Sequence, residues 1–408
     1  MASSKKQKKV SRGPGIMANI KVVGIGGGGG NAVQRMSRNF MRGVDFIAIN
    51  TDHQDLDECD VRQKVYIGRN LTKGLGTGMN PDLGRQAAEE NRSEIAEALK
   101  GSDLIFIAYG GGGGTGTGAS PVVAEVAQQT GALTVAVVTR PFAFEGSQRE
   151  RIAQEGLIKL KDKVDALIVV PNDRIFSIIS KDTPVTKAFE AIDDVLRNAL
   201  KGLVEIVATP GIINVDFADV RTILQNSGPA IVGVGLGSGP ERAINAVNAA
   251  ANSPLLESSA EGAKAILLSI AGGKDLKMTE INDAAKLVAQ MADPGARIIF
   301  GAYHDRNLRP NQVKVTIVAT GFNGSSKTSL FSNGHDYRQG QSAARADQRL
   351  LEKDEHLRPV PMAKPLLKDR KEEVAREKHP ARAIPDSNDE KRESDIWDIP
   401  AFLRKRKK

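Results

Sequence analysis

Residues 110–118 read GGGGGTGTG, directly after the apolar run Leu104-Ile105-Phe106-Ile107-Ala108 and ahead of a helical pattern that opens at Pro121. Strand, glycine loop and helix in that order bring backbone N–H groups and a helix N-terminus onto one point, which suits a phosphate. Glycine lets the chain approach an anion without a Cβ in the way, and Thr115 and Thr117 add hydroxyl donors. The plainer reading is a flexible turn. Ordering five consecutive glycines costs roughly 0.5–1 kcal/mol each relative to Ala, so a turn with no task is a poor explanation.

The 408 residues, 40% hydrophobic and 26% charged, are enough for two domains with their own cores. No run of 18 apolar residues occurs and no apolar stretch backs the N-terminal lysines, so the expectation is a cytoplasmic chain without a span or leader. Cys59 is the only cysteine and the five histidines form no i, i+4 pair, which excludes an internal disulfide and a cysteine-based zinc site. No protein metal ligands are expected, and Cys59 reads as incidental rather than as a nucleophile.

Charge is concentrated at the two ends. Lys5, Lys6, Lys8, Lys9 and Arg12 stand without an acid in the first 13 residues, and from Ser325 onward there are twenty basic and fifteen acidic residues. With a net charge of +8 overall, the middle is left at about −2. The folded part therefore lacks the basic face of a nucleic-acid binder, and no stable nucleic-acid binding by it is expected.

Along the chain, apolar runs alternate with helical patterns, which predicts a Rossmann-like α/β fold with a parallel sheet. Residues 1–17 read as a disordered basic arm and 18–185 as a nucleotide-binding domain. Residues 186–208 form one long central helix, and 209–324 a second, smaller α/β domain. Residues 325–393 read as a disordered linker, and 394–408 as a docking peptide with a basic end. Glycine loops are expected at 26–30 and 74–81, one helix from Asp82 to about Leu99, and another opening at Asp216. Residues 395–403, DIWDIPAFL, hold the only tryptophan at the tip of a polar tail, the composition of a short linear motif for a partner's groove.

Residues 24–29 also fit GxGxxG after a strand, the dinucleotide fingerprint, for which Asp45 or Asp52 would have to be the ribose acid. That reading needs one glycine loop. Three such loops suit a nucleotide with several phosphates gripped from several sides, and no GxxxxGK[ST] loop is present.

The segments GGGTGTG (112–118), GGGGGNAV (26–33), NTD (50–52), RPFAFEG (140–146), PND (171–173), NVDFADVRT (214–222) and DIPAFLRK (398–405) are similar to motifs of the tubulin/FtsZ family of GTPases, in its bacterial cell-division branch. The resemblance covers residues 19 to about 321 and resumes at the tail. It implies a self-assembling GTPase whose head-to-tail filaments form a division ring at mid-cell, with GTP or GDP bound and Mg²⁺ bridging the β- and γ-phosphates. By resemblance the phosphates lie on Gly27, Gly28, Gly112, Gly113, Gly114, Thr115, Gly116, Thr117 and Gly118, with Asn31 close by and Gly78 and Asn80 facing the γ-phosphate. Glu145 and Arg149 hold ribose and phosphate, Phe189 stacks on the base, and Asp194 reads guanine with help from Asn172. Periodicity alone makes Phe189 a core aromatic and Asp194 a solvated helix charge.

The resemblance also assigns Asn214, Asp216 and Asp219 to catalysis in the neighbouring subunit's site, whereas residue chemistry alone allows plain capping of a helix start. The tail resembles a peptide that docks membrane anchors and division regulators, making membrane contact indirect; Ile396 and Trp397 depart from the commoner residues there. Arg404, Lys405, Arg406, Lys407 and Lys408 either attract anionic lipid or keep the tail soluble. Other departures are Gly111 for Met or Leu, expected to loosen the phosphate loop, Asp193 beside Asp194, Ser147-Gln148 for basic residues, and Ile231-Val232. A dinucleotide oxidoreductase and a non-hydrolysing nucleotide-binding scaffold remain the alternatives.

Overall fold

The structure is a computed structural model and describes residues 18–38, 43–177, 179–180, 182–209, 211–253 and 261–322. The basic arm, the linker and the 395–403 motif lie outside the described residues, as do the side chains of Phe189 and Asp193.

The first half runs β1 (Ile20–Ile25), α1 (Gly26–Arg38), β2 (Val44–Asn50), α2 (His53–Glu58), β3 (Gln63–Tyr66), α3 (Arg69–Thr72), α4 (Pro81–Glu90), α5 (Arg92–Leu99), β4 (Leu104–Gly110), α6 (Gly114–Gln129), β5 (Leu133–Arg140), α7 (Ser147–Lys161) and β6 (Ala166–Pro171). Then come α8 (Val185–Ala208), α9 (Phe217–Leu224), β7 (Gly228–Ser238), α10 (Arg242–Ala251), β8 (Ala265–Gly272), α11 (Met278–Met291), β9 (Arg297–His304) and β10 (Gln312–Thr320).

The strands form one sheet in the order β3-β2-β1-β4-β5-β6-β7-β10-β8-β9. It is parallel from β3 to β7, and β10 runs antiparallel to both its neighbours. Side chains alternate between its faces with period two. Val23 and Ile25 pack with α4, α5 and α6 on one face, and Ile20 and Val22 with α1, α8 and α9 on the other. A third core joins α10 and α11 to β8 and β10. The sheet is continuous between the expected two domains, but the β6–β7 junction is only three residue pairs long, from Ala166↔Gly228 to Ile168↔Ala230.

Three boundaries differ from the sequence expectation. The glycines at 26–30 are the opening turns of α1, not a loop. A Cβ on Gly29 would lie 2.4 Å from the Ala108 carbonyl, so glycine there lets the helix lie directly on β4. The helix expected from Pro121 starts seven residues earlier, at Gly114, because its first turns are buried and carry their own hydroxyl bonds. Thr117 Oγ1 accepts from Gly112 N–H at 3.1 Å, and Ser120 Oγ donates to the Gly116 carbonyl. The single helix expected from Asp82 to Leu99 is broken at Asn91, whose Oδ1 accepts the Gly68 N–H at 2.9 Å.

Candidate functional site

The strand order β3-β2-β1-β4-β5-β6 reverses direction between β1 and β4, and in a doubly wound sheet ligands sit at such a switch point, outside the carboxyl ends of the strands. The loops that open there are the glycine segments. Gly112 has φ +90°, and a Cβ on it would lie 2.7 Å from the Arg149 carbonyl, so the phosphate loop is pressed against the start of α7. Gly114 leaves room for the loop before α4: a Cβ there would meet Thr77 Oγ1 at 2.2 Å and Asn80 N at 2.7 Å. Gly78 stands in that loop with φ +56°. The segments at 74–81 and 110–118 are therefore one cluster, with Gly27 and Gly28 of α1 beside it, Gly28 facing Gly110. Asn31 is exposed on α1 one turn further on.

Gly111 does not loosen this loop. Its N–H donates to the Thr139 carbonyl at 2.8 Å, which pins the loop to the end of β5, and an added Cβ would crowd the same carbonyl.

Asn80 caps α4, its Oδ1 accepting from Asp82 and Leu83 N–H. Glu145 binds within its own turn: Oε1 accepts the Phe142 N–H at 2.9 Å and Oε2 pairs with Arg149. Asp194 pairs with Arg197 at 2.8 Å on the exposed side of α8. An exposed pair like this is worth about 0–1 kcal/mol, so a ligand can displace it. Asn172, just after β6, has its Oδ1 buried with no hydrogen-bond partner among the described residues. An orphaned acceptor of this kind at the carboxyl end of β6 fits a ligand with a donor edge, as guanine has.

Asp52 and Asp55 also border the cluster. A Cβ on Gly27 would be 3.3 Å from Asp55 Oδ2, and one on Gly76 3.8 Å from Asp52 Oδ2. Burial, and then the Asp52 charge, push the Asp55 carboxyl above its ordinary range. Two acids beside a phosphate cradle are tolerable where a cation bridges them, and Mg²⁺ commonly uses one or two carboxylates plus phosphate oxygens. For the dinucleotide alternative Asp45 lies at the wrong end of β2, and Asp52 already serves as a helix cap. Asp45 pairs in register with Lys21 near the start of β2, and Asp52 Oδ1 accepts the Asp55 N–H.

Asn214, Asp216 and Asp219 are not part of this cluster. Asp216 is the N-cap of α9, and its Oδ1 accepts the Asp219 N–H at 2.7 Å. Asn214 Oδ1 accepts the Gly211 N–H at 2.6 Å. Their segment is held by β9, where Ile213 bridges Ala302, and α9 ends where Gly228 N–H donates to Asp165 at the amino end of β6. Among the described residues no hydrogen bond or ion pair joins these three side chains to the glycine loops.

Sequence reasoning missed Thr51 and Thr77. Both are buried, and both reach Thr115 Oγ1, at 2.6 and 3.2 Å. Only the NTD and GLGTG contexts, each beside a glycine loop or strand end, could have flagged them.

Residues 19–180 match the family described as Tubulin/FtsZ family, GTPase domain, and residues 228–323 match FtsZ family, C-terminal domain. The chain is 46% identical to an empty FtsZ dimer from M. jannaschii, with a TM-score of 0.70 over 74% of this chain and 88% of that one. An FtsZ point mutant from M. jannaschii gives 46% identity and a TM-score of 0.71 over 75% and 92%. A GTPγS-bound protofilament of CetZ2 from Haloferax volcanii is 24% identical, with a TM-score of 0.66 over 77% and 96%, and shares the fold.

Proposed function

The chain belongs to the tubulin/FtsZ family and carries that family's GTPase domain, and from that premise we propose that it polymerises head to tail and hydrolyses GTP with Asp216 and Asp219 supplied by the next subunit. The observation that carries this reading is the division of parts within one chain. The phosphate cradle is built at the carboxyl ends of β1 and β4, while the α9 carboxylates are anchored through β9 and the amino end of β6.

Each subunit then has an incomplete site on one face and the missing carboxylates on another. A contact that joins two different faces is heterologous; it repeats without closing and yields a filament. Exposed apolar residues accompany both regions. Leu75, Met79 and Phe144 stand by the cradle, and Ile212 and Phe300 by the α9 segment. One of the similar structures is a dimer of FtsZ from M. jannaschii, which supports self-assembly.

In the cradle, the N–H groups at the start of α6 hold phosphate oxygens, and Asn172 and Asp194 accept from guanine. Asp52 and Asp55 are the carboxylates that would hold Mg²⁺, and the ion would neutralise phosphate charge. Asp216 and Asp219 orient and deprotonate the attacking water, a role that needs carboxylates free of a cationic partner. Residues 395–403 dock a membrane-bound partner, which fixes the filaments as a division ring. Among the described residues no helix is long and apolar enough to cross a membrane.

Phosphate release from GTP, measured against protein concentration, tests the reading. The rate per subunit is expected to rise above a threshold concentration and to vanish in Asp219→Ala. A rate per subunit that stays flat means the site is complete within one chain.

A further inference from the structure

Three hydroxyls from three separate segments meet at the back of the phosphate cradle. Thr51 follows β2, Thr77 lies in the loop before α4, and Thr115 is in the first turn of α6; Thr115 Oγ1 is 2.6 Å from Thr51 Oγ1 and 3.2 Å from Thr77 Oγ1. All three are at most 8% exposed. The loop that carries Thr77 has little intrinsic preference for its shape. Lys73, Gly74, Gly76, Gly78 and Met79 all have positive φ, and for the two that are not glycine this costs roughly 1–2 kcal/mol each. It is held at its start, where His53 N–H donates to the Gly74 carbonyl at 3.1 Å and Leu75 bridges Asp52. Its far half is joined to α6 through Thr77.

We propose that Thr51 and Thr77, acting through Thr115, form a hydroxyl bridge that sets the loop at residues 74–81 in response to the third phosphate. Each hydroxyl has one proton to give. A phosphate oxygen only accepts, so a γ-phosphate that takes the Thr77 proton aligns the chain: Thr51 donates to Thr115, Thr115 to Thr77, and Thr77 to the phosphate. Hydrogen bonds aligned in one direction reinforce one another in a buried site. With a nucleoside diphosphate the Thr77 proton has no such acceptor, and the 3.2 Å contact alone ties the loop to α6. Thr51 and Thr77 are thus positioning residues that favour GTP over GDP. The bridge rests on the reading that GTP occupies this cradle.

The test compares full-length wild type with Thr77→Val, Thr77→Ser and Thr51→Val, using GTPγS and GDP as the two probes. Thr77→Val keeps the shape and removes the proton. It is expected to weaken GTPγS about tenfold while GDP stays within about twofold, the loss of one charge-assisted hydrogen bond. Thr77→Ser restores the wild-type ratio, and Thr51→Val shifts it in the same direction by less. An unchanged GTPγS-to-GDP ratio in Thr77→Val, equal weakening of both nucleotides, or a Ser variant as weak as Val each overturns the bridge. A wild-type chain that binds neither nucleotide removes the GTP reading itself, and the bridge with it.

Discussion

Asp219 donates its backbone N–H to the Asp216 carboxylate at 2.7 Å, so the first acid of the pair caps the helix that presents the second. Asp216 therefore has a structural task besides its proposed catalytic one. Alanine removes both, whereas asparagine caps about as well as aspartate and lacks the charge. Asp216→Asn is expected to unfold at the wild-type denaturant midpoint and to lose GTP turnover. Asp216→Ala is expected to lose turnover and about 1 kcal/mol of stability. Equal turnover in Asp216→Asn and wild type would show that the carboxylate does no chemistry.

The orphaned Asn172 oxygen gives a different pairing of outcomes. Among the described residues this buried acceptor has no partner, so removing it forfeits no hydrogen bond to them. Asn172→Ala is expected to leave stability within about 0.5 kcal/mol of wild type and to weaken GTP about tenfold. Isothermal titration alongside thermal melting separates the two. A large loss of stability with unchanged affinity would assign Asn172 to the fold.

Behind α8, Lys314 Nζ lies 2.8 Å from Glu205 and 2.9 Å from Asp305, and Tyr303 O–H donates to Glu205 at 2.7 Å. Burial pulls the Lys314 pKa down, but Glu205 and Asp305 outweigh it and hold it above the usual lysine value. Lys314→Met leaves buried Glu205 without its nearest cation and is expected to cost roughly 3 kcal/mol. Adding Glu205→Gln, which can still accept from Tyr303, should return part of that. Chemical denaturation of the single and double variants checks the order.

Lys163, and then Arg92, hold the Glu125 carboxyl below its ordinary range. The folded-state pKa is the lower one, so this stabilisation is present above the usual carboxylate pKa and is lost as pH falls through the folded value. Glu125→Gln is expected to lower the melting temperature at pH 7, and its difference from wild type is expected to shrink as pH falls below the usual carboxylate range.

Much of the fold could be read from residue order. The run at 104–110 is apolar throughout, and those at 20–25 and 133–140 are largely so, because these strands are covered on both faces, and the acids at Asp216 and Asp219 mark a helix start from their type alone. What could not be read depends on tertiary contact. Pro121 imitates a helix N-terminus, and only the burial of residues 114–120 reveals that α6 begins before it. The strand β3 has four residues, one of them buried, and is too short to show a period. The meeting of Thr51, Thr77 and Thr115 spans 64 positions, and no local pattern announces it.

The measurement that bears most directly on the central claim mixes two inactive proteins. Asp219→Ala supplies subunits with an intact cradle and without the Asp219 carboxylate; the double variant Asn172→Ala, Asp194→Ala supplies both carboxylates and cannot hold GTP. If hydrolysis is completed between neighbours, the mixture releases phosphate although neither protein does so alone. Mixtures that sediment together as filaments and still release no phosphate would contradict a site shared between subunits.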